Sequence, residues 1–256
     1  MPASRERSYR LEVIVLREYD WGEADRILTV FSREQGKLRL LAKGVRKIRS
    51  RKAGHLLPFT QSQLQVAAGR EMPIITQAET IQAFASLREN LTLIGYTSYV
   101  IELLDRFTYE EGEHLSLYRL LLNTLQRLSH PDLDPLITLR YYEIRLLDAV
   151  GFRPQLTECA ACNRPIQPED QYFSNTLGGV ICPRCAPQHD NLRPISVNAL
   201  KYLRHFQRSP YEQAQIAAPT PAIHNEMEKL MQAYLTHLLE RALNTPNFLR
   251  RIRPNP

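Results

Sequence analysis

Four cysteines fall as two close pairs, Cys159-Ala-Ala-Cys162 and Cys182-Pro-Arg-Cys185, with nineteen residues between Cys162 and Cys182. Two Cys-x-x-Cys pairs at such a distance let four thiolates converge tetrahedrally on one Zn²⁺. Asn163 follows the first pair, and asparagine tolerates the left-handed backbone that closes a metal knuckle. A redox dithiol would sit at a helix start behind a strand, and neither pair does. Four sulfurs leave no coordination position for water, so the expected zinc is structural rather than catalytic. His189, just beyond Cys185, is not needed as a ligand.

A second chemistry is electrostatic. Residues 37–52 carry Lys37, Arg39, Lys43, Arg46, Lys47, Arg49, Arg51 and Lys52, and no acid occurs between Gln35 and Arg70. With Arg70 that window holds nine cations, more than the whole chain's net charge of +6, so the remainder is net acidic. Basicity confined to one segment is the footprint of a polyanion-binding surface. Trp21, the only tryptophan, lies beside Gly22 in an expected turn and is a candidate ring on which a base could stack.

The elements that must position these groups read as follows. Residues 37–42 alternate, with Lys37 and Arg39 on one parity and Leu38, Leu40 and Ala42 on the other. On a strand that buries the leucines and turns the cations out; from Gly44 the pattern becomes a basic loop. Residues 9–17, 26–32, 59–68 and 74–84 read as further strands. Five short strands in so few residues suit a small closed barrel such as an OB-fold. From about Ser86 the period becomes helical. Helices are expected over 90–109 and 115–128, then from Asp134-Pro135, a cap and first-turn proline, to Val150 before Gly151. A hairpin between the cysteine pairs is expected around Leu177-Gly178-Gly179. Two helices follow, one capped by Ser196 and one over 222–243, and then a loosely held basic tail over 248–253. The expected organisation is α+β and multidomain: a barrel over 1–84, and a helical domain over 85–155 and 191–256, interrupted by a zinc insertion at 156–190.

Other chemistries lack support. The remaining histidines are scattered without a nucleophile at useful spacing, Glu23 and Asp25 sit beside Arg26 in a turn, and no Gly-rich phosphate cradle occurs. Nothing indicates an enzyme. No apolar run approaches the ~20 residues that span a bilayer, and the start is polar, so a cytosolic protein without membrane contact is expected.

The order of Gly22-Glu-Ala-Asp-Arg-Ile27, Gly36, Ala42-Lys-Gly44 with its basic run, Pro58-Phe59, Tyr142-Glu143, Leu146-Leu147, Gly151-Phe152 and the four cysteines resembles RecO, the bacterial recombination mediator family. The resemblance implies an OB-fold, a helical domain and a zinc-binding insertion. It also implies binding and annealing of single- and double-stranded DNA without hydrolysis. The partners implied are RecR and the acidic C-terminal tail of the single-stranded-DNA-binding protein, in loading RecA. A tail ending in an apolar residue and a carboxylate needs an apolar pocket rimmed by a cation. The helix after Asp134 offers Arg140 with Leu136, Leu139 and Tyr142 for this, unless Arg140 simply pairs with Glu143 and the others are core. Two other readings of barrel and basic run remain: an RNA-binding translation or ribosome factor, and a zinc-stabilised scaffold whose basic face meets an acidic protein.

Overall fold

The computed structural model describes residues 8–109 and 114–252, and the chain groups into two compact units, Met1–Ser129 and His130–Pro256. Arg253 of the tail and the residues before Ser8 lie outside the described residues.

In the first unit, β1 (Ser8–Trp21), β2 (Asp25–Ser32), β3 (Gly36–Ala42), β4 (Gln61–Ala67) and β5 (Ile74–Gln82) close into a barrel in the order β1-β2-β3-β5-β4. All pairings are antiparallel except β3 with β5, which meet at Leu41 and Ile74. This is the five-stranded OB architecture that the alternating patterns predicted. The period-2 residues Leu11, Val13, Leu28, Val30, Leu40, Leu64, Val66 and Ile75 fill the interior. β1 is long because it serves two partners: its first half pairs with β4 and its second with β2, with a register irregularity between Val15 and Arg17. It therefore runs on to Trp21, which closes the strand instead of standing in the turn; Gly22, at φ +57°, makes the turn.

Three helices belong to the same unit: α1 (Ser86–Glu89), α2 (Leu91–Phe107) and α3 (Leu115–Ser129). Asn90 caps α2 by accepting from the backbone N–H groups of Thr92 and Leu93. Ile14, Leu16 and Phe31 are buried although their parity differs from that of the barrel interior, and polar ties mark the helices against this outer face. Tyr118 of α3 donates to Glu12 of β1 at 2.9 Å. Burial alone would raise the Glu12 carboxyl, but bonds from Tyr118, Arg33 and Gln61 hold it below the usual range.

The second unit contains α4 (Pro135–Ala149), a three-stranded sheet of β6 (Gln171–Ser174), β7 (Gly179–Ile181) and β8 (Arg193–Ile195), then α5 (Val197–Arg208), α6 (Tyr211–Ala214), α7 (Pro221–Leu239) and α8 (Thr245–Ile252). The caps read from sequence are in place: Asp134 accepts from Leu136 N–H and Ser196 from Ala199 N–H. Two expectations are corrected. The last long helix stops at Leu239, because Glu240 turns left-handed at φ +50°. The tail is not loose as far as it is described: α8 includes Leu249, only 2% exposed, a burial that a free tail would not have. The helices grouped from sequence as one domain thus fall in both units. Among the described residues no helix is long and apolar enough to cross a membrane.

Candidate nucleic-acid interface and metal centre

The basic segment leaves the barrel at Lys43 and returns at β4, and its course is fixed from both ends. Val45 and Leu56 insert into the barrel core. Asp25 accepts from the Gly44 N–H at 2.7 Å, and the Ala24 carbonyl accepts from the Arg46 N–H at 2.9 Å, stitching the loop to the β1–β2 turn. Between the anchors, successive turns (Lys47 N–H to the Gly44 carbonyl, Ser50 N–H to the Lys47 carbonyl) project the side chains outward. Lys47, Arg49 and Arg51 are exposed, and Ile48 between the first two is wholly exposed. Arg39 and Lys43 on and after β3 are also exposed, and among the described residues none of these five cations has a carboxylate partner. Arg46 is held in part by Asp20 at 3.4 Å.

Two of the cations singled out from sequence are committed elsewhere. Lys37 is a correction. Its ammonium donates to the Asp105 carboxylate at 3.1 Å and to the Asp105 and Thr108 carbonyls at 2.9 and 2.6 Å, closing the C-terminal end of α2. A cation already surrounded by three acceptors is not free for phosphate. Replacing Lys37 with methionine is therefore expected to lower unfolding free energy by about 2 kcal/mol in urea titrations. The salt dependence of DNA binding should stay unchanged. Lys52 donates to the Ile75 carbonyl at 2.8 Å, and burial pulls its pKa down, so it contributes less than its position in the run suggested.

Trp21 is 56% exposed and lines a cleft of about 550 Å³ with Leu41, Lys43, Arg70, Met72 and Ile74. The cleft lies where the β1–β2 turn, the end of β3 and the β4–β5 loop converge. Gly69 shapes that loop: a Cβ there would stand 2.1 Å from the Met72 carbonyl oxygen. An aromatic face beside two cations can stack a base while holding its phosphates. Arg70 and Met72 were missed as site residues. The signal was present, since Arg70 closes the acid-free window, but sequence spacing could not say that this loop returns to Trp21.

The cysteine centre is built by short loops. Asn163, left-handed at φ +57°, donates its N–H to the Cys159 carbonyl, and the Ala186 N–H donates to the Cys182 carbonyl, so each pair is closed by a bond from the residue that follows it. β6 and β7 form the expected hairpin, pairing Tyr172 with Ile181 and Ser174 with Gly179. Gly179 has to be glycine, because a Cβ would lie 2.8 Å from the Gln155 carbonyl oxygen. The Sγ atoms of Cys159, Cys162, Cys182 and Cys185 all lie within 4.8 Å of one another, and His189 is not in the cluster. A tetrahedral ion with ~2.3 Å bonds to sulfur needs S···S distances of about 3.8 Å, which falls within that limit. Burial pushes the Cys159 thiol up, but N–H groups of Cys182, Cys162 and Ala161 outweigh it and bring the pKa down to about 6. Cys185, sharing protons with Cys182 and Cys162, is pushed up to about 12. A thiolate held by backbone N–H groups, as at Cys159, is a soft ligand of the kind that suits a thiophilic metal.

The pocket expected on α4 is not there. Arg140 is 2% exposed and its guanidinium holds the buried Glu143 carboxylate at 2.8 Å; Leu139 and Tyr142 are core and Leu136 is half-buried. An apolar helix face packed inside the unit has no surface to offer a peptide, and the i,i+3 ion pair is internal. Arg140→Ala is thus expected to remove the cation beside a buried carboxylate, costing about 3–5 kcal/mol in thermal or denaturant unfolding.

Comparison with known proteins places the chain in a family. The family model Recombination protein O N terminal matches residues 7–84, and Recombination protein O C terminal matches 88–246. Among curated proteins, the DNA repair protein RecO of Roseiflexus sp. (strain RS-1) is 42% identical over 249 residues, covering 97% of this chain and 87% of that protein. Those of Dehalococcoides mccartyi and Pelotomaculum thermopropionicum are each 35% identical, covering 93% and 97% of this chain and 93% and 96% of theirs. With the barrel and the cysteine-bearing helical part each matched by its own model, the chain belongs to the RecO family of DNA repair proteins.

Proposed function

We propose that this protein is a non-enzymatic recombination mediator that binds single- and double-stranded DNA and promotes annealing of complementary strands. With RecR, it helps to load RecA onto DNA coated by the single-stranded-DNA-binding protein. The observation that carries the reading is the union of Trp21, Lys43 and Arg70 in one cleft with the anchored basic loop beside it. Stacking supplies sequence-tolerant hold on an unpaired strand, and exposed cations supply attraction to any phosphate backbone. The family membership supports DNA over RNA; RecR and the acidic tail are the partners this reading takes, with the tail seated somewhere other than Arg140. Four thiolates favour Zn²⁺ as the ion, and in a closed site it holds residues 157–188 in shape and does no chemistry. Work on chromosomal DNA would place the protein in the cytoplasm at the nucleoid.

Because Trp21 is the only tryptophan, its emission reports on the cleft directly. Single-stranded DNA should quench it. The protein should also speed annealing of complementary strands coated by the single-stranded-DNA-binding protein. Absence of quenching together with no acceleration of annealing would overturn the reading.

A further inference from the structure

The barrel carries a second groove, of about 640 Å³, on the outer face of β1, β4 and β5. It shares no residue with the Trp21 cleft. Strand register builds it: Arg10 lies opposite Gln65, and Gln65 opposite Gln77, while Gln63 lies opposite Glu79. These residues have the opposite parity to Leu11, Leu64, Ala78 and Val66, so the pleat turns them away from the core. The basic loop closes one side, with Arg51 standing over the sheet and Lys52 tied down to Ile75. Arg10 and Gln77 are exposed, and Arg10 reaches Gln65 through a long 3.4 Å bond.

The chemistry of this groove differs from that of the cleft. It has no aromatic ring, and Glu79 offsets one of its cations, so charge attraction is modest. What it offers instead is a line of primary amides, each able both to donate and to accept, beside two guanidinium groups. Base edges present donors and acceptors in every combination, and glutamine can meet any of them, while arginine grips a phosphate.

We propose that this glutamine-lined groove is a second seat for a single nucleic-acid strand, so that one barrel holds two strands at once. The inference rests on the reading of the barrel as a DNA binder and names what that reading lacks, a place for the second strand in annealing. A strand stacked on Trp21 is held firmly. A strand held in the groove by exchangeable amide contacts is released when its complement pairs with it.

The test uses the full chain and oligothymidylate of about eight nucleotides, which cannot self-pair and fits within one OB-fold. Native mass spectrometry should show two oligonucleotides on each wild-type chain. Arg10→Ala/Gln77→Ala should hold one and lose annealing, with Trp21 quenching intact; Trp21→Ala/Lys43→Ala should also hold one. Should a variant melt below the wild type, photocrosslinking of 4-thiothymidine oligonucleotides to the unmutated protein decides instead, with adducts expected on both β4–β5 and the Trp21 cleft. A wild-type chain that takes a single strand overturns the second seat and leaves the proposed function standing. So does a groove variant that still takes two, or crosslinks confined to the cleft. Failure to bind any oligonucleotide overturns the proposed function itself.

Discussion

Replacing Lys43, Lys47 and Arg49 with alanine is expected to weaken binding of single-stranded DNA about a hundredfold near 0.1 M salt, equally for every sequence tested. Each phosphate contact on a single strand contributes about 0.7 to the slope of log affinity against log salt, so three lost contacts should make the slope shallower by about 2. These three are chosen because they are exposed and carry no carboxylate partner among the described residues, whereas Arg46 leans on Asp20 and Lys37 is locked to Asp105. Because the loop is pinned by Val45 and Leu56 in the core, trimming its side chains should leave the barrel's melting temperature unchanged. An unaltered salt slope would show that phosphate is met elsewhere.

Removing the metal should have the largest effect on structure. Metal binding in isolated zinc-finger peptides is worth on the order of 10–16 kcal/mol. The segment it orders has few apolar anchors of its own, chiefly Phe173, Val180 and Ile181. Cys182→Ser, or prolonged chelation of the wild type, should release one Zn²⁺ per chain and open residues 157–188 to protease. The damage should stop near the segment's edges, where Arg204 and Gln207 of α5 hold the Leu156 and Pro154 carbonyls at 2.6 and 2.9 Å. The first unit should still bind DNA. Full zinc retention by the variant, or unchanged protease resistance, would rule out the assignment.

How much of this could be read beforehand depended on whether the signal was local. The strands, caps and cysteine loops were legible because each is set by residues within a few positions: alternation for β3, Asp134 before Pro135, Asn163 after Cys162. Barrel membership was legible from strand count, but not that β4 returns to β1, a pairing that links Leu11 with Leu64. Lys37 shows the same boundary from the other side. By parity it faces outward, and so it does, but what lies outside is the end of α2, which no spacing along β3 can reveal. Arg140 failed for the same reason: an arginine beside tyrosines and leucines reads alike at a pocket rim and in a core, and only the packing of α4 against α5 and α7 decides. The Trp21 cleft joins residues from 21 to 74, and sequence found the tryptophan and the cation while their meeting place awaited the fold.

The double pairing of β1 also has a consequence on the ribosome. As the chain emerges, Val13–Trp21 finds β2 almost at once, because only a short turn separates them. The stretch from Ser8 to Ile14 must wait for Gln61–Ala67. At synthesis rates of about 5–20 residues per second, that leaves an unpaired strand edge bearing Leu11 and Val13 exposed for roughly 2–10 seconds in every molecule made. Arg10 and Glu12 alternate with those apolar residues, and charges so placed discourage two nascent chains from pairing edge to edge. Substituting Arg10 alone with valine, which spares Glu12 and its bonds from Tyr118, Arg33 and Gln61, would leave the finished barrel little changed, yet should divert newly made protein into aggregates before β4 arrives.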